Sequence, residues 1–229
     1  MIKTKYNYED ITNLNSYISK ILKKNFGKGP AACYTFLTDD MMFINIKNFI
    51  TPVEEVLIKK NEEHLAHKSR MIIFDAIFEQ IQEEVKRVLN IDYTSMCYDW
   101  SFKHNTGLII LTKDEHFTQT AEHSLEGNES VNSIKKICSN VHNTQVQINH
   151  VSQTSTVTYI IYSGFMSKIE HALYEKGYVE LLIEWSNELK GEYKQNKRLF
   201  EHALRAAIDD HFVFLDFEKD RGMIVFYHT

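Results

Sequence analysis

Thr51-Pro52-Val53-Glu54 and Ser167-Lys168-Ile169-Glu170 carry the same helix-start chemistry at positions 116 residues apart, 51 and 167. In each, a hydroxyl can accept the backbone N–H three residues on while the Glu reaches back to the cap residue's own N–H, so two orphan donors are satisfied reciprocally. One such tetrapeptide arises often by chance. Here the same offset of 116 also pairs Ile18 with Ile134, Lys20 with Lys136, Ile21 with Ile137, Phe49 with Phe165, Val53 with Ile169 and Leu57 with Leu173. Near the ends of the two stretches the offset becomes 115, pairing Phe102 with Phe217 and Gly107 with Gly222. A period this long is not that of a solenoid, and it predicts one module written twice: residues 1–113, a linker at 114–131, and a diverged second module at 132–229.

The composition agrees with two folded modules. The chain has 229 residues, 43% hydrophobic and 25% charged, and only two prolines, which argues against long disordered linkers. No run of about 18 apolar residues occurs, and Met1 to Tyr8 has no hydrophobic signal-peptide core, so the sequence reads as cytoplasmic and without a transmembrane segment. Cys33, Cys97 and Cys138 are odd in number and lie in apolar surroundings, which predicts reduced thiols. Basic and acidic residues number 15 and 16 in residues 1–116, and 11 and 15 in residues 117–229. Neither half carries the basic excess that would point to a nucleic acid partner.

The order of elements follows from periodicity. Ile11, Leu14, Ile18, Ile21 and Leu22 recur at helical steps and stop at Gly27, a glycine C-cap. Cys33 to Leu37 and Met42 to Ile46 read as a β-hairpin around Thr38-Asp39-Asp40-Met41. A helical tract runs from Thr51 to about Leu89, with Met71, Phe74, Phe78, Ile81, Val85 and Val88 as its apolar seam. A second hairpin, Tyr93 to Phe102 with Leu108 to Thr112, closes the module, and Gly107 is assigned the positive φ of its turn.

The second half repeats this order, with a helix around Ile134 to Val141, a hairpin of Gln145 to Val151 with Thr156 to Tyr162, helices from Ser167 to about Ala207, and a last hairpin around Asp220-Arg221-Gly222. Gly177 and Gly191 predict breaks or kinks in its helices. The fold class is α+β: two tandem α-β-β-α-β-β modules, each an antiparallel sheet with helices on one face. Phe43 falls on the face opposite Met42, Ile44 and Ile46, so the second face of the sheet is also apolar and is expected to meet the other module or a second chain in a homodimer.

Gly27-Lys28-Gly29-Pro30, the segment Phe49-Ile50-Thr51-Pro52-Val53-Glu54, the helical tract through Arg70, and Asp99-Trp100-Ser101 before Thr106-Gly107 together resemble the MpsC-like family. The resemblance covers about residues 10–113. It extends to 132–228 as a degenerate copy, where Asn143-Thr144-Gln145-Val146 replaces the Gly-Lys-Gly-Pro segment and no proline follows Ser167. It implies a small accessory protein of a bacterial Na+-translocating, membrane-potential-generating system linked to inorganic-carbon uptake. A membrane transporter subunit would then be a partner, and the protein would sit at the inner face of the membrane.

Individual residues offer little chemistry beyond this. Gly27, Lys28 and Gly29 can present N–H groups and an ammonium to an anion, although a C-cap and turn explain them as well. Of the polar groups Arg70, Asp99 and Ser101, one is expected to be buried and paired, in a structural role or lining a pocket. His64 and His67 share a helix face but lack the HExxH pattern and a third ligand, and Asp39 and Asp40 are ordinary turn residues. No catalytic residue, metal or cofactor is assigned. The expected function is that of a non-enzymatic accessory or regulatory protein, and the alternative is a small-anion sensor reading its ligand through Lys28 or Arg70 at the module interface.

Overall fold

The computed structural model describes residues 7–38, 40–113 and 129–228. The chain divides into two compact units, Met1–Glu115 and His116–Thr229. The first contains α1 (Tyr8–Phe26), β1 (Ala32–Leu37), β2 (Met41–Lys47), α2 (Pro52–Lys59), α3 (Glu63–Leu89), β3 (Ser95–Ser101) and β4 (Thr106–Thr112). The second contains α4 (Glu129–His142), β5 (Gln147–Gln153), β6 (Val157–Ser163), α5 (Lys168–Glu175), α6 (Val179–Gln195), α7 (Lys197–Leu204), β7 (Ile208–Asp216) and β8 (Arg221–His228). Each unit is an α+β fold with one antiparallel four-stranded sheet. The strand orders are β1-β2-β4-β3 and β5-β6-β8-β7.

Both capping boxes form. Thr51 Oγ1 accepts from Glu54 N and Ser167 Oγ from Glu170 N, each at 3.3 Å, while Thr51 N and Ser167 N donate to the two Glu carboxylates at 2.7 and 2.5 Å. Turn chemistry recurs as well. Thr38 N and Oγ1 both donate to Met41 O, and Thr154 N and Oγ1 both donate to Val157 O, 116 residues on.

Left-handed backbone positions pair in the same way. Gly27 (φ 75°) matches Asn143 (53°), Asn48 (56°) matches Gly164 (73°) and Asn61 (59°) matches Gly177 (82°) at offset 116. Asn90 (53°) matches Arg205 (53°) and Asn105 (52°) matches Asp220 (47°) at offset 115. These ten are all the positive-φ residues among those described, so every forced turn of one unit has its counterpart in the other.

Several expectations change. The helical tract from Thr51 is two helices, because Asn61 in the left-handed region ends the first at Lys59. The buried row of α3 is Ala66, Arg70, Phe74, Ile77, Ile81, Val85 and Leu89; of the expected seam, Phe74, Ile81 and Val85 lie on it, Phe78 and Val88 pack against the core, and Met71 points outward at 40% exposure. Gly107 lies inside β4 and the positive φ belongs to Asn105. A Cβ on Gly107 would fall 1.8 Å from the Trp100 ring, and one on Gly222 would fall 2.2 Å from Tyr162, so these glycines make room for aromatic rings. Gly177 does break the helix, but Gly191 sits within α6 and the second break falls at Asn196. Glu129, Ser130 and Val131 belong to α4 and not to a linker. Residues 114–128 and Asp39 lie outside the described residues.

Strand alternation sorts each sheet into two faces. Met42, Ile44, Ile46, Ile109 and Leu111 join Leu14, Ile18, Phe74 and Ile81 in the helix-side core of the first unit. Met41, Phe43, Leu108 and Ile110 point to the face without helices. In the second unit Ile160, Tyr162, Ile224 and Phe226 join Ile134, Cys138 and Phe200, and Tyr159, Ile161, Met223 and Val225 alternate to the other face.

Candidate functional site

Arg70, the one buried arginine among the described residues, is held at the centre of the helix-side core of the first unit. Arg70 is on the inward row of α3, one turn after Ala66 and one before Phe74, and 1% of its surface is exposed. Its Nε donates to Glu54 Oε1 at 2.5 Å, and its Nη2 donates to Glu54 Oε2 at 2.8 Å and to Phe49 O at 3.0 Å. The bidentate pair matches guanidinium to carboxylate geometry. Aromatic rings enclose it, with the guanidinium carbon 4.0 Å from the Trp100 centroid, 5.0 Å from Phe49, 5.2 Å from Phe102 and 5.7 Å from Phe26. Nη1 has no hydrogen-bond partner. Burial lowers the Arg70 pKa to about 10, against the opposing pull of Glu54, so the group remains cationic at neutral pH.

Lys28 serves the same segment. Its Nζ donates to Ile50 O at 2.6 Å, and Asn105 Oδ1 accepts from Phe49 N at 2.7 Å and Ile50 N at 2.9 Å. Residues 48–54 are thus fastened by Lys28 after α1, Arg70 on α3 and Asn105 at the last hairpin. Gly27 is the left-handed C-cap of α1, and its N–H donates to Lys23 O. Gly29 packs against the Lys23 side chain.

Asp99 and Ser101 do not join this cluster. They alternate with Trp100 and lie on the other face of β3, where Asp99 Oδ1 accepts from Trp100 N and Ser101 Oγ accepts from His104 N. His64 pairs with Glu62 at 3.4 Å, and the His67 ring meets Phe102 edge-on. Among the described residues no group of three His, Cys, Asp or Glu side chains is placed to hold a metal ion. Cys33, Cys97 and Cys138 form no disulfide among the described residues, and burial pushes the Cys33 and Cys138 thiols up to about 12, which leaves them protonated and unreactive at neutral pH.

The second unit fills the corresponding space differently. Glu170 keeps the capping box, but residues 185–187, opposite in sequence to Arg70, are Trp-Ser-Asn, and Glu170 Oε1 has no partner. His142 stands where the first unit has Phe26, and Tyr162 where it has Ile46. His142 Nε2 lies 3.1 Å from Tyr162 Oη and 2.8 Å from Tyr193 Oη, and Tyr193 Oη donates to Tyr162 Oη at 3.2 Å. Burial pushes His142 down to about 4 and raises both tyrosines, so the trio is neutral at pH 7.

Sequence reasoning put Arg70 among the groups expected to be buried and paired, but it missed Glu54 as the partner and missed the His142 cluster. The signal for the first was an arginine in phase with Ala66, Phe74, Ile77 and Ile81. For the second no local signal existed, because its three residues come from α4, β6 and α6.

Apolar side chains also stand in solvent at matching places. Val53 and Ile169 are 70% and 74% exposed, and Leu65 and Leu181 are 43% and 51% exposed, each pair at offset 116. Val56 and Ile72 add to the exposed apolar surface of α2 and α3.

Residues 9–115 match the family described as Na+-translocating membrane potential-generating system (MpsC). The matched stretch coincides with the first unit, which is similar to this family. No curated protein and no solved structure matches it. Among the described residues, no helix is long and apolar enough to cross a membrane.

Proposed function

We propose that this protein is a non-enzymatic accessory or regulatory component of a membrane-potential-generating, cation-translocating system, and that it acts through protein contacts at the cytoplasmic face of the membrane. The two units are copies of one MpsC-like module. The family match over residues 9–115 supports the association with such a system. The observation that favours action by contact is the retention of exposed apolar residues at Val53/Ile169 and Leu65/Leu181, where a solvated helix face would carry polar groups. The two cations that would read an anion are engaged within the first unit, Lys28 on Ile50 O and Arg70 on Glu54.

The test is co-purification of the tagged chain with solubilised membranes, comparing the parent with Val53→Glu and Leu65→Glu. Both positions are exposed, so the variants should unfold at the parent's temperature. Loss of a co-purifying membrane-protein complex in both variants is the expected result. Undiminished co-purification in both, or no membrane-protein complex with the parent chain, would overturn the proposal.

A further inference from the structure

The second unit has an open cavity of about 480 Å3 between the start of α4, β5 and the end of α7, which runs into a second of about 330 Å3 that shares Glu129, Ser130, Ala203 and Arg205 with it. The same place in the first unit holds larger apolar groups. Ser130, Gln153 and Ala203 stand where the first unit has Leu14, Leu37 and Val88, at offsets of 116, 116 and 115. Leu14 is fully buried in the first core, and Leu37 and Val88 pack against that core. Three coordinate reductions in apolar bulk, and not one isolated small residue, hollow out the second unit here.

The walls divide by chemistry. Val131, Ile134, Val151 and Leu204 form an apolar floor. Glu129 and Arg205 stand at the rim, and among the described residues neither side chain has a hydrogen bond or an ion pair, so these opposite charges line one opening without meeting each other. Arg205 also adopts the left-handed backbone (φ 53°) that Asn90 adopts at the equivalent position. Asn tolerates that conformation far better than Arg does. A long cation thus holds a left-handed backbone position at the mouth of this cavity.

We infer that this cavity binds an apolar α-amino acid. The hydrocarbon side chain would rest on the Ile134, Val151 and Leu204 floor, the carboxylate would meet Arg205, and the ammonium would meet Glu129. The volume lies within the range of small-molecule sites, and separated opposite charges at the rim of an apolar pocket complement a zwitterion with an apolar tail. The site is internal to the second unit and does not depend on the membrane association proposed above.

Isothermal titration of the full chain with L-leucine and L-phenylalanine tests it. Saturable one-site binding of at least one of them is expected, and octanoate, which lacks the ammonium, should bind at least tenfold more weakly. The double variant Ser130→Leu/Gln153→Leu, which rebuilds the packing of the first unit, should abolish binding and raise the unfolding temperature. Arg205→Asn should weaken binding at least tenfold while also raising that temperature, a combination that a purely structural Arg205 would not produce. Absence of saturable binding by both amino acids, octanoate binding as tight as leucine, or unchanged affinity in both variants would each overturn the assignment.

Discussion

The two units build the same backbone around different buried chemistry. In the first, a charged Arg70–Glu54 pair sits among Phe26, Phe49, Trp100 and Phe102. In the second, no arginine stands at the matching positions 185–187, His142 and Tyr162 stand at the places of Phe26 and Ile46, and a neutral His-Tyr-Tyr cluster occupies the core. Yet the capping boxes, the five pairs of left-handed residues and the glycines under the aromatic rings persist. Backbone-fixing residues act alone, each satisfying its own turn or cap, and so each is retained separately. Buried polar residues act in sets, and loss of one partner makes the others costly until the set is replaced. Glu170 marks the boundary between these rules: its capping role survives, while the oxygen that would have received the arginine is left without a donor.

The largest expected effect separates the two cores. Arg70→Ala leaves Glu54 buried without its counter-charge and should cost about 3–5 kcal/mol in urea unfolding, as for other broken buried ion pairs. Arg70→Met with Glu54→Leu, which removes both charges, should recover much of that loss. Equal destabilisation by the single and double changes would mean that the aromatic enclosure, and not the uncompensated carboxylate, dominates.

The second core should respond to pH through His142. Burial holds folded His142 at about 4 against an ordinary value of 6.5. The unfolded chain therefore binds the extra proton between those values. Stability is fully present above about pH 6.5 and is lost as pH falls toward 4, by up to about 3 kcal/mol at roughly 1.36 kcal/mol per pKa unit. His142→Phe, the residue of the first unit, should flatten that part of the profile relative to the parent. The two profiles, recorded as urea midpoints from pH 7 to 4, would run parallel if His142 were not the titrating group.

A smaller effect should be common to both units. Gly107→Ala and Gly222→Ala drive a methyl into Trp100 and Tyr162, and should each cost about 1–3 kcal/mol, typical of overpacked cores. A neutral outcome at either site would show that its ring can move aside, and that the glycine serves another purpose.

The sequence was most readable where a residue acts locally. Alternation in Met42, Ile44 and Ile46 and the caps at Thr51 and Ser167 located hairpins and helix starts correctly, and the order of elements followed. In α3 the phase held at Phe74, Ile81 and Val85 and failed at one turn, where Met71 is apolar yet exposed and Arg70 is charged yet buried through a carboxylate 16 residues away across the Asn61 break. Glycine also misled: Asn105 and Asp220 take the left-handed turns, and Gly107 and Gly222 answer to rings on neighbouring strands. Of the residues singled out for a site, Arg70 and Lys28 converge on one segment, and Asp99 and Ser101 do not. Strand parity beside Trp100 decides this, and it became readable only once Trp100 was known to face the helices.

The smallest effect tests the shared caps most finely. Thr51→Ala and Ser167→Ala each remove the hydroxyl that accepts the N3 amide, and a lost N-cap of this type costs about 1 kcal/mol. The two boxes differ in what else holds the glutamate. Glu54 stays anchored by Arg70 when Thr51 loses its hydroxyl, whereas Glu170 depends on Ser167 N alone. Ser167→Ala should therefore be the more damaging of the pair, with a difference of a few tenths of a kcal/mol and the same sign in paired urea titrations. In a chain that also carries Arg70→Met and Glu54→Leu, the carboxylate of the first box is gone, so Thr51→Ala should cost less there than in the parent. An undiminished cost would show that the hydroxyl caps the helix independently of the glutamate, and that the reciprocal bond contributes little in either unit.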